Sequence, residues 1–249
     1  MNLHAHTWRK MLLGTSTDIY NLRTIKLTMP NIEELPAEEI NRDLGRTFPE
    51  ETFFLKHIDK IRNVLLWYAH TNTAVPYCQS FTFLAFVMYK HFYENDKRHA
   101  MIDTYYSMHR MILIIKPLLP KSAKDGHPLK FAQTLESVIL LDVMREDRLL
   151  YDRLKDSVII KMIILNGFSC YYLNWFSSDY GAVLLTFIID KKSSMMFQRL
   201  LNFTVAFFLV HKSIFLGFTD DRCLEMLHEK ELVNFYATLW KAKSLALLP

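Results

Sequence analysis

Apolar residues recur along this chain at helical intervals. Phe54, Ile58, Ile61, Leu65 and Tyr68 follow one another at steps of four, three, four and three, a stripe down one face of a helix that ends in Thr71-Asn72-Thr73-Ala74-Val75-Pro76. Similar patterns predict helices over roughly 80–93, 98–115, 131–144, 149–165, 168–175, 182–189, 197–211 and 221–241. At the start, Leu3, Trp8, Leu12 and Leu13 predict a first helix that stops at Gly14. The stretch Thr15 to Pro36 reads as mixed and polar, with a short helix expected between the breakers Pro30 and Pro36. Pro36-Ala37-Glu38-Glu39 then reads as a helix start, with proline in the first turn and carboxylates at the positive end of the dipole.

Lys116 to Lys130 gathers Pro117, Pro120, Gly126 and Pro128 in a polar stretch and is the best boundary in the chain. The expected organisation is one domain over 1–249 in two helical halves, 1–116 and 131–249, with a linker at 117–130. A β reading rests on Ser157-Val158-Ile159-Ile160 and Val183 to Ile188, both rich in strand formers. Only 6 glycines in 249 residues argue against the many turns an all-β chain needs, so the fold class is all-α.

Composition narrows the picture further. Hydrophobic residues make up 51% and charged residues 22%, which excludes disorder. The net charge of +4 comes from scattered residues and is too mild for nucleic acid. Three cysteines, widely spaced and without C-x-x-C, exclude a disulfide scaffold or a zinc knuckle and fit a reducing cytosol. The N-terminus has no apolar stretch of the signal-peptide kind. Ten histidines form no H-E-x-x-H, and no nucleotide-binding glycine loop occurs, so no metal and no cofactor of its own are expected. The run Leu200 to Val210 is broken by His211 and Lys212, and Val158 to Phe176 contains Lys161 and Asn166. Both fall short of the ~20 uninterrupted apolar residues of a membrane span. A polytopic helical membrane protein is kept as a second alternative.

Two motifs carry chemistry. Ile40-Asn41-Arg42-Asp43-Leu44-Gly45-Arg46-Thr47-Phe48-Pro49 supplies a fixed cation, and Tyr77-Cys78-Gln79 supplies a neutral amide beside an aromatic. Asp43 and Arg46 are three apart, so on a helix they share a face and interact. An arginine restrained in this way loses less entropy on entering a partner's site. A glutamine amide both donates and accepts, which suits it to hold a water.

This pair, in this order, resembles the TBC domain of Rab GTPase-activating proteins, whose motif I-x-x-D-x-x-R is matched by Ile40, Asp43 and Arg46. The resemblance extends to Trp8 in the opening segment, to Asn63 through Ala69 with Asn72, to Phe83-Leu84-Ala85, and to Tyr172 through Asp190. It implies an all-α fold and a GTPase-activating function in vesicle trafficking. Arg46 becomes an arginine finger and Gln79 a glutamine finger, with Asp43, Tyr77, Ile40 and Thr47 in support. The expected partner is a Rab-type small GTPase in its GTP state, which carries the GTP and Mg²⁺. The chain is expected to be cytoplasmic and to meet membranes peripherally through that partner. Departures from the pattern are His4 for arginine, Pro76 and Ser80 for glycines beside the glutamine motif, Phe81-Thr82 for Met-Asn, and Ile189 for tryptophan. The two glycine losses motivate the first alternative, a catalytically weak Rab-binding scaffold or decoy.

Overall fold

The computed structural model describes residues 2–26, 36–72, 74–116, 128–189, 195–228 and 233–246. Among these residues there are fourteen α-helices and no strand. Of the two segments considered for a β reading, Val183 to Ile188 is wholly helical, and Ser157 to Ile160 is a turn that leads into a helix.

In the N-terminal part, α1 (Leu3–Trp8) runs into a π-helical turn over Arg9–Leu13, and Gly14 at φ 97° ends it. The next helix, α2 (Ser16–Thr24), corrects the mixed and polar reading of this stretch. It opens with a reciprocal capping box between Thr15 and Asp18 but has no buried residue, so it leaves almost no apolar stripe to read. The short helix expected between Pro30 and Pro36 lies outside the described residues. α3 (Ala37–Arg46) follows Pro36, and α4 (Thr52–Thr71) carries the predicted stripe, with Phe54, Ile61, Leu65 and Tyr68 buried. α5 (Ser80–Asn95) and α6 (Ala100–Ile115) pack against α4 and against each other.

Residues 117–127 of the expected linker lie outside the described residues, and Pro128–Lys130 already belong to α7 (Pro128–Glu146). The single helix expected over 149–165 is two, α8 (Arg148–Leu154) and α9 (Ile159–Asn166). Ser157 breaks it: its hydroxyl accepts from the Ile159 amide at 3.1 Å and donates to Asp220 at 2.5 Å. Such local side-chain bonds compete with a continuing helix. The helix expected over 168–175 reduces to a 3₁₀ turn, Phe168–Cys170, because Tyr171 and Tyr172 sit in the left-handed region at φ 53° and 57°. Buried hydroxyl bonds fix both, from Tyr171 to the Met111 carbonyl (2.8 Å) and from Tyr172 to Thr204 (2.9 Å).

α10 (Ser178–Ile189), α11 (Met196–Val210) and α12 (Lys212–Gly217) follow, then α13 (Asp220–His228) and α14 (Phe235–Leu245). The last two replace one expected helix over 221–241. Asn234 starts α14 afresh by accepting from the Ala237 amide at 3.0 Å.

One apolar cluster runs from Trp8 and Phe54 through Phe86 to Phe203 and Phe207. Each such fully buried side chain contributes about 1.5–3 kcal/mol of burial free energy. α1 and α5 both pack on α10, and the Trp8 indole donates to Thr186 at 2.9 Å, so the early and late helices share this core. No described helix is long and apolar enough to cross a membrane, which leaves the polytopic alternative without a span to rest on.

Candidate functional site

The end of α3 and the start of α5 meet at the molecular surface. α3 is strongly two-sided. Ile40 and Leu44 face the core with exposures of 0% and 2%, and Asn41, Arg42, Gly45 and Arg46 face outward. Asp43 falls on the inner edge of that division and is 2% exposed. A carboxylate so placed requires partners. One of its oxygens accepts from Arg46 Nη2 at 2.6 Å, and the other accepts from the Tyr77 hydroxyl at 2.9 Å.

Tyr77 is buried, and its hydroxyl also lies 2.9 Å from the hydroxyl of Thr82, which is fully buried in the first turn of α5. Burial pushes the Tyr77 phenol well above its ordinary range, so it stays a neutral donor to Asp43. The chain Thr82–Tyr77–Asp43–Arg46 thus leads from the core to one surface guanidinium, whose side chain is 56% exposed. The same Arg46 Nη2 reaches Gln79 Oε1 at 3.0 Å, across 33 positions of sequence. Among the described residues Arg46 makes its side-chain bonds through one nitrogen, which leaves the rest of its donor fork for an outside group.

The supporting residues hold this geometry from beneath. Thr47 is buried at the end of α3, and its hydroxyl donates to the Asp43 carbonyl at 2.7 Å. Phe48 then turns the chain at φ 44° and packs on Phe86 with ring centres 4.8 Å apart. Gln79 immediately precedes α5 with φ −52° and ψ −35°, and its side chain makes no capping bond to the helix, which leaves the amide for Arg46. Pro76 and Ser80 stand where the resembled motif has glycines. Neither is among the described residues with positive φ, and Ser80 is already helical. This loop directs Gln79 at Arg46 without a left-handed residue beside it.

Cys78 is set apart from this chemistry. Its sulfur lies 2.8 Å from the Ser80 hydroxyl, and burial pushes its thiol up to about 11, so it is protonated at neutral pH and a poor nucleophile. The described residues contain no group of three or more His, Cys, Asp or Glu side chains that could hold a metal ion.

The structure brings Asp43, Arg46, Tyr77 and Gln79 together, with Thr47 bound to the backbone of Asp43 and Ile40 anchoring the helix. Sequence reasoning missed Thr82, which it treated only as a departure from a motif. A polar residue early in the very apolar run from Phe81 to Met88 was the available signal.

Similarity to known proteins extends over most of the chain. The Rab-GTPase-TBC domain family matches residues 3–216. A 53-residue stretch is 43% identical to growth hormone-regulated TBC protein 1-A of Danio rerio, covering 19% of this chain and 15% of that relative's length.

Proposed function

Because the chain belongs to the Rab-GTPase-TBC domain family, we propose that it stimulates GTP hydrolysis on a Rab-type small GTPase with Arg46 and Gln79 as paired fingers. The observation that carries this reading is the convergence of a restrained guanidinium and a carboxamide on one exposed spot. The partner supplies the nucleotide and its Mg²⁺. Arg46 neutralises charge on the transferring phosphoryl group, and Gln79 holds the attacking water. Asp43, itself held by Tyr77, limits the directions in which Arg46 points, so less entropy is lost when the guanidinium enters the partner's site. The Arg46–Gln79 bond of the free protein gives way as each group takes up its own partner atom.

An arginine finger contributes about 10³–10⁵ in rate. That corresponds to about 4–7 kcal/mol of barrier. The test is single-turnover hydrolysis by a panel of GTP-loaded Rab proteins with the wild type, Arg46→Ala and Gln79→Ala. Acceleration of at least one Rab by the wild type, lost in both variants, is expected. Measurable binding with equal hydrolysis by wild type and Gln79→Ala would favour the scaffold or decoy reading instead.

A further inference from the structure

A second group of arginines lies at the other end of α5. Gln79 precedes the first residue of that 16-residue helix and Asp96 follows the last, which puts the two ends about 24 Å apart at 1.5 Å per residue. At the Asp96 end, one face of α2 and the turn into α6 border an open surface cavity of about 670 Å³, with Arg9 in its wall. Small-molecule sites typically measure about 300–1,000 Å³.

The charges around this cavity do not balance. Arg9, Arg23 and Arg98 line or border it, against two carboxylates, Asp96 and Asp103. Asp103 is 1% exposed and fully engaged. Arg9 Nε donates to it at 2.6 Å, while Arg23 donates through Nη2 at 2.5 Å and Nε at 2.9 Å. Asp96 is occupied by His99 Nδ1 at 2.8 Å, by the Arg98 amide at 3.2 Å and by Arg23 at 3.4 Å. Both acids are therefore used, yet cationic donors remain. Arg9 Nη2 is buried and has no hydrogen-bond partner among the described residues. The Arg9 guanidinium lies over the Phe92 ring, 5.1 Å from its centre, so a ligand oxygen reaches Nη2 only when the side chain turns toward the cavity. The Arg98 guanidinium is exposed and lines the cavity without an ion pair among the described residues. The hydroxyls of Ser16 and Tyr20 add neutral donors on the α2 face, and α6 begins at the same rim with no side-chain cap on its N-terminus.

We propose that this cavity binds a small molecule bearing phosphate monoesters, held by Arg9, Arg23 and Arg98 with the Ser16 and Tyr20 hydroxyls. Guanidinium forks match phosphate oxygens in pairs, and three of them around one space suit a tetrahedral, multiply charged anion better than a single carboxylate. The space is larger than one inorganic phosphate needs, so the phosphate is carried on a polar body such as a phosphorylated polyol. That polyol is either free in solution or the headgroup of a lipid.

Calorimetry with inositol trisphosphate and co-sedimentation with phosphatidylcholine vesicles containing phosphatidylinositol bisphosphate test the proposal and separate its two sources. Binding of the soluble probe identifies a soluble ligand, and binding of the vesicles alone identifies the lipid headgroup; either result supports the site. Binding weakens as salt rises. Arg9→Ala and Arg23→Ala strip partners from buried Asp103 and endanger the fold. The deciding variant is therefore Arg98→Glu at the surface, with its fold checked by circular dichroism. It is expected to lower affinity by about ten-fold or more through loss of a charge-assisted contact. Absence of binding by the wild type in both assays overturns the proposal. So does undiminished binding by a folded Arg98→Glu, or binding of citrate as tight as that of inositol trisphosphate.

Discussion

Two buried aspartates hold arginines in this protein, and they do so to opposite ends. Asp43 is 2% exposed and pairs with a guanidinium that is 56% exposed. Asp103 is 1% exposed and binds two guanidiniums whose side chains are 12% and 20% exposed. In the first case the acid's second oxygen is taken by Tyr77, so the fixed end of the network is inside and the free end is in water. In the second, one carboxylate ties the π-helical turn, α2 and α6 to one another. The same ion pair serves presentation where the cation faces outward and construction where it faces inward. Depth of the arginine, more than that of the acid, separates the two uses.

The largest effect that tests this division is expected at Arg46. Arg46→Ala should reduce stimulated GTP hydrolysis by about 10³–10⁵-fold, with the fold kept and a stability loss of no more than about 1.5–3 kcal/mol, because buried Asp43 loses one of its two side-chain donors and keeps Tyr77. A large loss of stability together with the loss of activity would erase the contrast with the Asp103 group. Next in size is Asp103→Ala. It leaves two largely buried arginines without their carboxylate and should cost about 3–5 kcal/mol in urea unfolding. Asp43→Ala should cost less, because Arg46 is already solvated and the hydroxyls of Tyr77 and Thr82 retain each other. If Asp43→Ala proved the more damaging of the two, the comparison would fail.

Sequence periodicity reaches one half of this contrast better than the other. α4 and α6 are legible because each buries an apolar stripe, α5 because its long apolar run is buried on nearly every side, and Asp43 and Arg46 are visible as neighbours because they are three residues apart on one helix. The joining of Arg46 to Gln79 spans 33 positions, and resemblance to a known family suggested it where spacing alone did not. Thr82 looked like a motif departure because its partner hydroxyl on Tyr77 is set by the turn into α5. The Asp103 group was invisible. Its bonds to Arg9 and Arg23 cross 94 and 80 positions, and α2, which carries Arg23, has no fully buried residue and sets only Ile19 and Leu22 partly against the core. The break between α8 and α9 was missed for the same kind of reason, since Ser157 meets Asp220 across 63 positions.

A smaller effect probes the inner end of the finger network. Tyr77→Phe removes the donor to Asp43 while keeping the ring. A hydrogen bond to a charged group is worth about 1.5–3 kcal/mol, and stability should fall by that amount. Arg46 remains present but less restrained, so the rate of hydrolysis in the GTPase complex should drop while affinity for the GTPase holds. A fall in affinity with an unchanged rate would show that Tyr77 shapes the docking surface and does not position Arg46.

The smallest expected effect concerns the two residues that depart from the resembled motif. If Gln79 needed freely rotating neighbours, restoring glycine at 76 and 80 would raise activity. The backbone argues otherwise. Gln79 already reaches Arg46, no residue beside it takes a positive φ, and Ser80 lies in the first turn of α5. Glycine there adds only freedom to the unfolded chain and removes the Ser80 hydroxyl from Cys78. Ser80→Gly should therefore cost about 0.5–1 kcal/mol of stability, and Pro76→Gly a similar amount. Neither should increase single-turnover hydrolysis. A clear gain in rate from either would mean that the contact between Gln79 and Arg46 holds the glutamine away from its working position.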